Sequence, residues 1–272
     1  MSDAVTAVRD TFGLRSPPEE AVTDEASKPN PFAQIRWASL EQPVTGVWAE
    51  RRRLAAAMRL VIERLIASDA PEEELREAAA RLEQYAAHLD THPRRKRYEG
   101  IAESALAQIR ETGKVPEPAE MSRAIGPGHF DFSPLIGRSN PLAPPILLRE
   151  ENGRVYAEAV FGSAYEGPPN CLHGGYVAAA FDEVLGFAQS LTGHPGMTGR
   201  LDVSYRSPTP LHTLLTFDAW VEGVEGRKIT ARSTLKAGDR LCAEATGLFI
   251  TIKPGYFEQL IKQREEREAG GV

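Results

Sequence analysis

The first ordered pattern of apolar residues appears at Leu54, Met58, Val61, Ile62, Leu65 and Ile66, which recur three and four positions apart, as on one face of a helix. That helix is expected to end near Ser68. Asp69-Ala70-Pro71-Glu72 then reads as a new start, with Asp69 able to cap, Pro71 tolerated in the first turn and Glu72 placed for a capping box. A second stripe, Leu75, Ala79, Leu82, Ala86 and Leu89, stops before Pro93. Two such helices joined by a short turn predict an antiparallel hairpin, which must bury its stripes against the rest of the chain, an oligomer or another protein. A weaker helix is expected over Glu99 to Glu111. Residues 1 to about 43 are rich in Pro, Asp, Glu and Ser without apolar periodicity, and an irregular segment is expected there.

From Gly126 to Pro145 the chain is punctuated by proline and glycine, and no helix survives that. A domain boundary is placed there, giving 1–125 as an N-terminal extension and 126–272 as a second domain. Beyond it the period changes to two. Val155, Ala157, Ala159 and Phe161 alternate with polar residues, as do Leu201, Val203 and Tyr205, then Leu215, Phe217, Ala219 and Val221. Ile229, Ala231, Ser233 and Leu235, followed by Leu241, Ala243 and Ala245, add two further strands linked by the turn at Lys236 to Arg240. The turn Glu222 to Arg227 joins the earlier pair. Between the first strands and the last four, residues 175–190 are apolar on nearly every side, so that helix is expected to be buried by a sheet curling around it. The fold class is therefore α+β with an antiparallel sheet. The charged tail from Tyr256 reads as a surface helix.

A net charge of −6 argues against a nucleic-acid partner, because phosphate-neutralising surfaces show a basic surplus. The run Arg94-Arg95-Lys96-Arg97 reads as a solvated face. The chain opens without a basic start and apolar stretch of the secretory kind, and no apolar run reaches the roughly 20 residues that span a bilayer. A cytoplasmic protein without membrane contact is expected. Cys171 and Cys242 lie in no CxxC or Cys/His cluster, so reduced thiols and no metal site are expected.

Chemistry concentrates in the buried helix. Asp182 and Glu183 are its only charged residues, and a carboxylate in such surroundings costs several kcal/mol unless solvated, paired or functional. At least one of them should face a site, the alternative being a helix end exposed at the sheet edge. His173-Gly174-Gly175 opens the helix, and two glycines let a ligand approach the first unsatisfied N–H groups, where the dipole favours negative charge. An oxyanion hole has that physics; a plain tight turn also uses two glycines. Sequences of the GxSxG, GxxxxGK[ST], GxGxxG and HExxH kinds are absent. His88, His92, His129, His194 and His212 have no partner at a recognisable spacing and are read as structural or solvated.

The run Gly167-Pro168-Pro169-Asn170-Cys171-Leu172-His173-Gly174-Gly175, with Asp182 nine positions after His173, resembles the HGG(x6)D signature of hotdog-fold acyl-CoA thioesterases. The similarity is greatest to the mitochondrial thioesterase-superfamily-member type, and more distant to bacterial phenylacetate-pathway enzymes. It continues through 198–208, 224–228 and 244–250, and covers about residues 131–253. The resemblance implies an antiparallel sheet around one helix, hydrolysis of acyl-CoA to a carboxylic acid and CoA in fatty acid metabolism, no cofactor beyond the CoA of the substrate, and a homodimer or dimer of dimers. It implies Asp182 as general base or nucleophile, the Gly175 N–H (with Gly174 nearby) as holder of the thioester oxygen, and Thr198 as the group that positions water. By the same resemblance His173 would shape the helix start or bond the substrate carbonyl. Arg206, Arg227 and Lys228 would be candidates for the CoA phosphates, or else solvated strand ends. Some relatives carry Asn six positions before this His; here that position is Gly167 and the nearest Asn is Asn170, so the oxyanion hole would rest on backbone. A hotdog dehydratase or hydratase, and a non-catalytic acyl-CoA-binding adaptor, are the competing readings.

Overall fold

The structure, a computed structural model, describes residues 44–93, 130–194 and 196–251, together with Gln259, Lys262, Gln263 and Glu266, which are helical and exposed. The irregular segment 1–43, the basic run at 94–97, the helix expected over 99–111 and the boundary at 125/126 lie outside the described residues.

Two helices come first, α1 (Gly46–Ala67) and α2 (Glu72–Asp90). A strand pair, β1 (Leu147–Glu151) and β2 (Arg154–Ala159), precedes α3 (Gly174–Ser190), and β3 (Gly196–Tyr205), β4 (Leu215–Glu225), β5 (Lys228–Ala237) and β6 (Arg240–Thr251) follow. The six strands form one antiparallel sheet in the order β1-β2-β4-β5-β6-β3. β1 and β3 are thus its edges. Strand pair, helix, then four strands is the order expected from the change of period. The strands outrun their apolar alternation: β6 continues to Thr251, and β4 and β5 close on Gly226-Arg227, Gly226 taking φ +58°. Phe161 lies beyond the end of β2, yet it is fully buried.

The sheet wraps α3, whose Val177, Ala180, Phe181, Val184, Leu185, Phe187 and Ala188 are each no more than 1% exposed. Val155, Ala157, Leu215, Phe217, Ala219, Ile229, Ala231, Leu235 and Ala243 supply the facing layer. A helix apolar on every side can leave water only if something surrounds it, and the curled sheet does so. This is the hotdog arrangement.

The two expected N-terminal helices are present, and in the single chain their apolar stripes are largely exposed. Every residue of α2 is exposed, its stripe of Leu75, Leu82 and Leu89 included. Leu54, Met58, Val61 and Leu65 of α1 are also exposed. What α1 turns inward is a mixed face: Trp48, Arg52, Ala55, Arg59, Ile62 and Glu63, which share one side at helical spacing. Arg52 donates through Nε and Nη2 to both oxygens of Asp131, each at 2.7 Å, with the two side chains 15% and 6% exposed. Arg59 donates to the carbonyls of Arg138 and Asn140. The Glu63 carboxylate accepts the Ser163 N–H at 2.9 Å and the Ala164 N–H at 3.3 Å, and the Ser163 N–H holds its pKa below the ordinary value. Three charged residues therefore anchor a helix that an apolar stripe was expected to anchor, because loop backbone within reach of α1 offers unpaired donors and acceptors. The Asp69 cap is also corrected: α2 begins at Glu72 with Pro71 as N-cap and no side-chain cap bond.

Among the described residues, removing Arg52 leaves the buried Asp131 carboxylate with the Ser139 hydroxyl bonded to it and Arg138 nearby. Arg52→Met is expected to lower unfolding stability by about 2–3 kcal/mol, toward the lower end of the cost of breaking a buried ion pair. Urea denaturation checks this, and a loss below about 0.5 kcal/mol would place the anchor elsewhere, at the scale of an ordinary surface substitution.

Candidate active site

The start of α3 is built by the loop after β2. The Leu172 N–H donates to the Thr209 carbonyl at 2.8 Å and the His173 N–H to the Tyr165 carbonyl at 2.9 Å, which pins both sides of the turn. His173 is the N-cap of α3, and its ring Nδ1 accepts the Gly175 N–H at 3.0 Å. A ring nitrogen that accepts carries no proton, so in the neutral imidazole the proton sits on Nε2. The Gly175 N–H, expected to await a substrate oxygen, is thus capped by the neighbouring side chain. Tyr205, at the end of β3, donates its hydroxyl to the Gly174 carbonyl at 2.8 Å. That hydroxyl oxygen lies 3.4 Å from where a Cβ on Gly174 would be, an ordinary van der Waals contact.

Asp182 lies two turns further along α3, half-buried, and its Oδ1 accepts the Thr198 hydroxyl at 2.8 Å. Thr198 stands beside a bulge in β3, where the pairing with β6 shifts register between Thr198 and Arg200. Gly199 fills the shift, with Ile250 only 3.2 Å from the site of an added Cβ. Asp182 and Thr198 are therefore brought together, whereas Gly175 is separated from Asp182 by seven residues, about 10.5 Å along one helix at 1.5 Å per residue.

The three basic candidates divide between the two ends of β3. Arg206 continues from Tyr205, pairs with Glu244 at 2.7 Å, and lines a cavity of about 360 Å³ with Gly174, Val177 and Tyr205. Arg227 donates to the Thr251 carbonyl, and Lys228 pairs across to Ile250, itself opposite Met197. Thr198 and Arg206 are eight residues apart, about 26 Å of strand. Within a single chain the candidate residues thus fall into two groups, one with His173, Gly174, Gly175 and Arg206, the other with Asp182, Thr198, Arg227 and Lys228.

Comparison with known proteins gives the same outline. Residues 170–244 match the thioesterase superfamily. The acyl-coenzyme A thioesterase THEM4 of Xenopus laevis is 37% identical over 95 residues, 34% of this chain and 43% of that one. The Bos taurus THEM4 is 36% identical over the same length, 39% of that protein. A crystal structure of a thioesterase superfamily protein superposes with a TM-score of 0.62 at 29% identity, covering 78% of this chain and 98% of the other. Over these residues the β-sheet domain is similar to thioesterase-superfamily proteins. The chain spans less than half the length of the THEM4 relatives it matches.

Within the β-sheet domain the position expected to carry Asn in some relatives cannot hold one as the loop is built. A Cβ on Gly167 would lie 2.8 Å from His173 Cα. Asn170 instead takes φ +59° at an exposed turn, where its N–H donates to Glu166 Oε1 at 2.6 Å. Reading the sequence missed Tyr205, counted only as a strand residue, and Tyr176, counted only as a wall of the helix. It also missed the cap made by His173, although an acceptor side chain just before Gly-Gly was a signal that could have found it.

A cap of this kind contributes about 1 kcal/mol. His173→Asn, which keeps an acceptor at the N-cap, should therefore unfold near the wild-type midpoint, while His173→Ala loses roughly 1 kcal/mol in urea titration. Equal losses in both variants would mean the ring matters for packing and not as a cap.

Proposed function

We propose that this protein hydrolyses acyl-CoA thioesters to a carboxylic acid and free CoA, in a homodimer whose sites are each assembled from two chains. The observation that carries the reading is the pairing of Asp182 with Thr198 on a carboxylate-bearing helix whose own glycine N-terminus lies too far away to act on the same bond. A thioester carbon within roughly 3.5 Å of a catalytic group needs both halves at once. A two-fold axis beside the edge strand β3, with the two β3 strands antiparallel, brings the His173 end of one chain to the Asp182 end of the other.

In that site the thioester oxygen takes the backbone N–H at the start of α3, sharing the Gly175 donor with His173 or displacing its ring. Asp182 acts as general base on a water held by Thr198, or attacks the carbonyl carbon itself to give an anhydride that water then opens. In both routes the C–S bond breaks, oxygen from water enters the acid, and the proton given up by water passes to the departing thiolate. Arg206 of one chain and Arg227 and Lys228 of the other then lie on the side where CoA phosphates are bound. The chemistry requires neither a metal nor a redox cofactor. The two cysteines, both free, suit a cytoplasmic setting, and turnover of acyl-CoA suits fatty acid metabolism. Among the described residues no helix is long and apolar enough to cross a membrane.

Thiol release from a panel of acyl-CoAs tests the reaction, and a hydratase or a silent binder would release none. Asp182→Asn is expected to lower turnover at least a hundredfold, about 2.7 kcal/mol in the barrier, with the fold and oligomer intact. Thr198→Ala should be milder; a harsher effect than that of Asp182→Asn would exchange the two roles.

Mixing dead variants tests the composite site. Asp182→Asn and Gly175→Pro, combined one to one with subunit exchange confirmed, should recover about a quarter of wild-type activity, since half the dimers are mixed and half of their sites are intact. No recovery would mean that each chain builds its own site.

A further inference from the structure

The half-site at the start of α3 is flanked by two cavities of different character. On the β3 side is the 360 Å³ pocket rimmed by Arg206. On the other side α1, the proline-rich stretch 141–145 and the loop after β2 enclose about 580 Å³, within the usual range for a small-molecule site. Leu60, Ile62, Ile66, Leu142, Val160 and Tyr176 supply much of its wall. Nothing in the reaction proposed above uses this space.

The polar side chains of Arg59, Glu63, Tyr165 and His212 that line it are each hydrogen-bonded within the protein. Arg59 donates to the Arg138 and Asn140 carbonyls, and Glu63 accepts two loop N–H groups. His212 Nε2 lies 3.0 Å from Ser163 Oγ. Tyr165 donates its hydroxyl to the Leu142 carbonyl, and burial keeps it neutral by pushing its pKa up to about 12. With those groups engaged, most of the surface the walls offer an occupant is aliphatic and aromatic. The cavity reaches the first turn of α3 at Tyr176. Tyr176 lines it, is the residue after Gly175, and packs edge-on between Tyr165, ring centroids 4.9 Å apart, and His173, 6.4 Å apart.

We infer that the acyl chain of the substrate lies in this cavity, so that α1 selects an aliphatic acyl group of medium or long chain. The inference rests on the acyl-CoA reading. The two ends of such a substrate are unlike, a phosphate-bearing carrier and a hydrocarbon, and so are the two spaces on either side of the N–H groups that would hold its carbonyl. Each methylene moved from water into apolar walls tightens binding roughly fourfold, so affinity rises with chain length until the cavity is full.

Leu60 and Val160 stand on different elements at the cavity wall and are both more than half exposed, so each accepts a larger side chain without disturbing the core. The experiment compares wild type, Leu60→Trp and Val160→Trp in two readouts, after circular dichroism confirms folding. One is calorimetric binding of octanoate, dodecanoate and hexadecanoate; the other is kcat/KM for dodecanoyl-CoA relative to acetyl-CoA. Both tryptophans are expected to weaken dodecanoate at least tenfold and to lower the kcat/KM ratio at least tenfold. Unchanged dodecanoate affinity in both folded variants, or an unchanged ratio, overturns the inference. If wild type releases no thiol from any acyl-CoA while dodecanoate still binds and the tryptophans weaken it, the hydrolase reading fails and the ligand class of the cavity stands.

Discussion

The structure depends on getting α3 out of water. Its seven most buried apolar residues are at most 1% exposed, and no single flat layer could cover them, so the sheet has to curl. Once it curls, only the ends of the helix and the side facing β3 remain reachable. The N-terminus is reachable because Gly174 and Gly175 have no side chains to block it. Asp182 is reachable because it faces Thr198 on an edge strand whose outer positions are largely exposed. The same enclosure that stabilises the domain therefore decides where chemistry can occur, and the rise of the helix decides how far apart those two places are.

Much of the domain was legible because its physics is local and periodic. The change of spacing at residue 154 marks the strands, the run 175–190 marks a helix needing enclosure, and two carboxylates within that run could not be there for packing. Asp182 was singled out from the chain and Thr198 by the family resemblance, and the fold sets them 2.8 Å apart. What was not legible involves partners far apart in sequence. Nothing near Arg52, Arg59 or Glu63 announces that their partners lie about 80 to 100 positions downstream. An apolar stripe is the stronger local signal, and it led to a packing face that α1 leaves exposed. Arg206, Arg227 and Lys228 were candidates for the CoA phosphates by resemblance, or else solvated strand ends, and only the pairing of β3 with β6 and β5 shows them at opposite ends of a strand.

The His173 ring illustrates how a residue can be named correctly and its bonding still be missed. The sequence marks it as the opening of the helix, and the geometry adds that its Nδ1 holds the Gly175 N–H at 3.0 Å. The resting site is thus satisfied by its own side chain, and a ligand arriving there competes with an existing hydrogen bond.

The way α1 is fastened has a mechanical consequence. Apolar interfaces tolerate sliding and rotation, because dispersion and hydrophobic burial have little directional preference. Hydrogen bonds weaken steeply once their angles fall away. Three directional clamps spread over twelve residues, Arg52, Arg59 and Glu63, fix α1 in both its register along the domain and its rotation about its own axis. A helix held in this way behaves as a rigid gauge: the gap beneath it keeps one width, and whatever fits there is measured against a fixed dimension instead of moulding its own space.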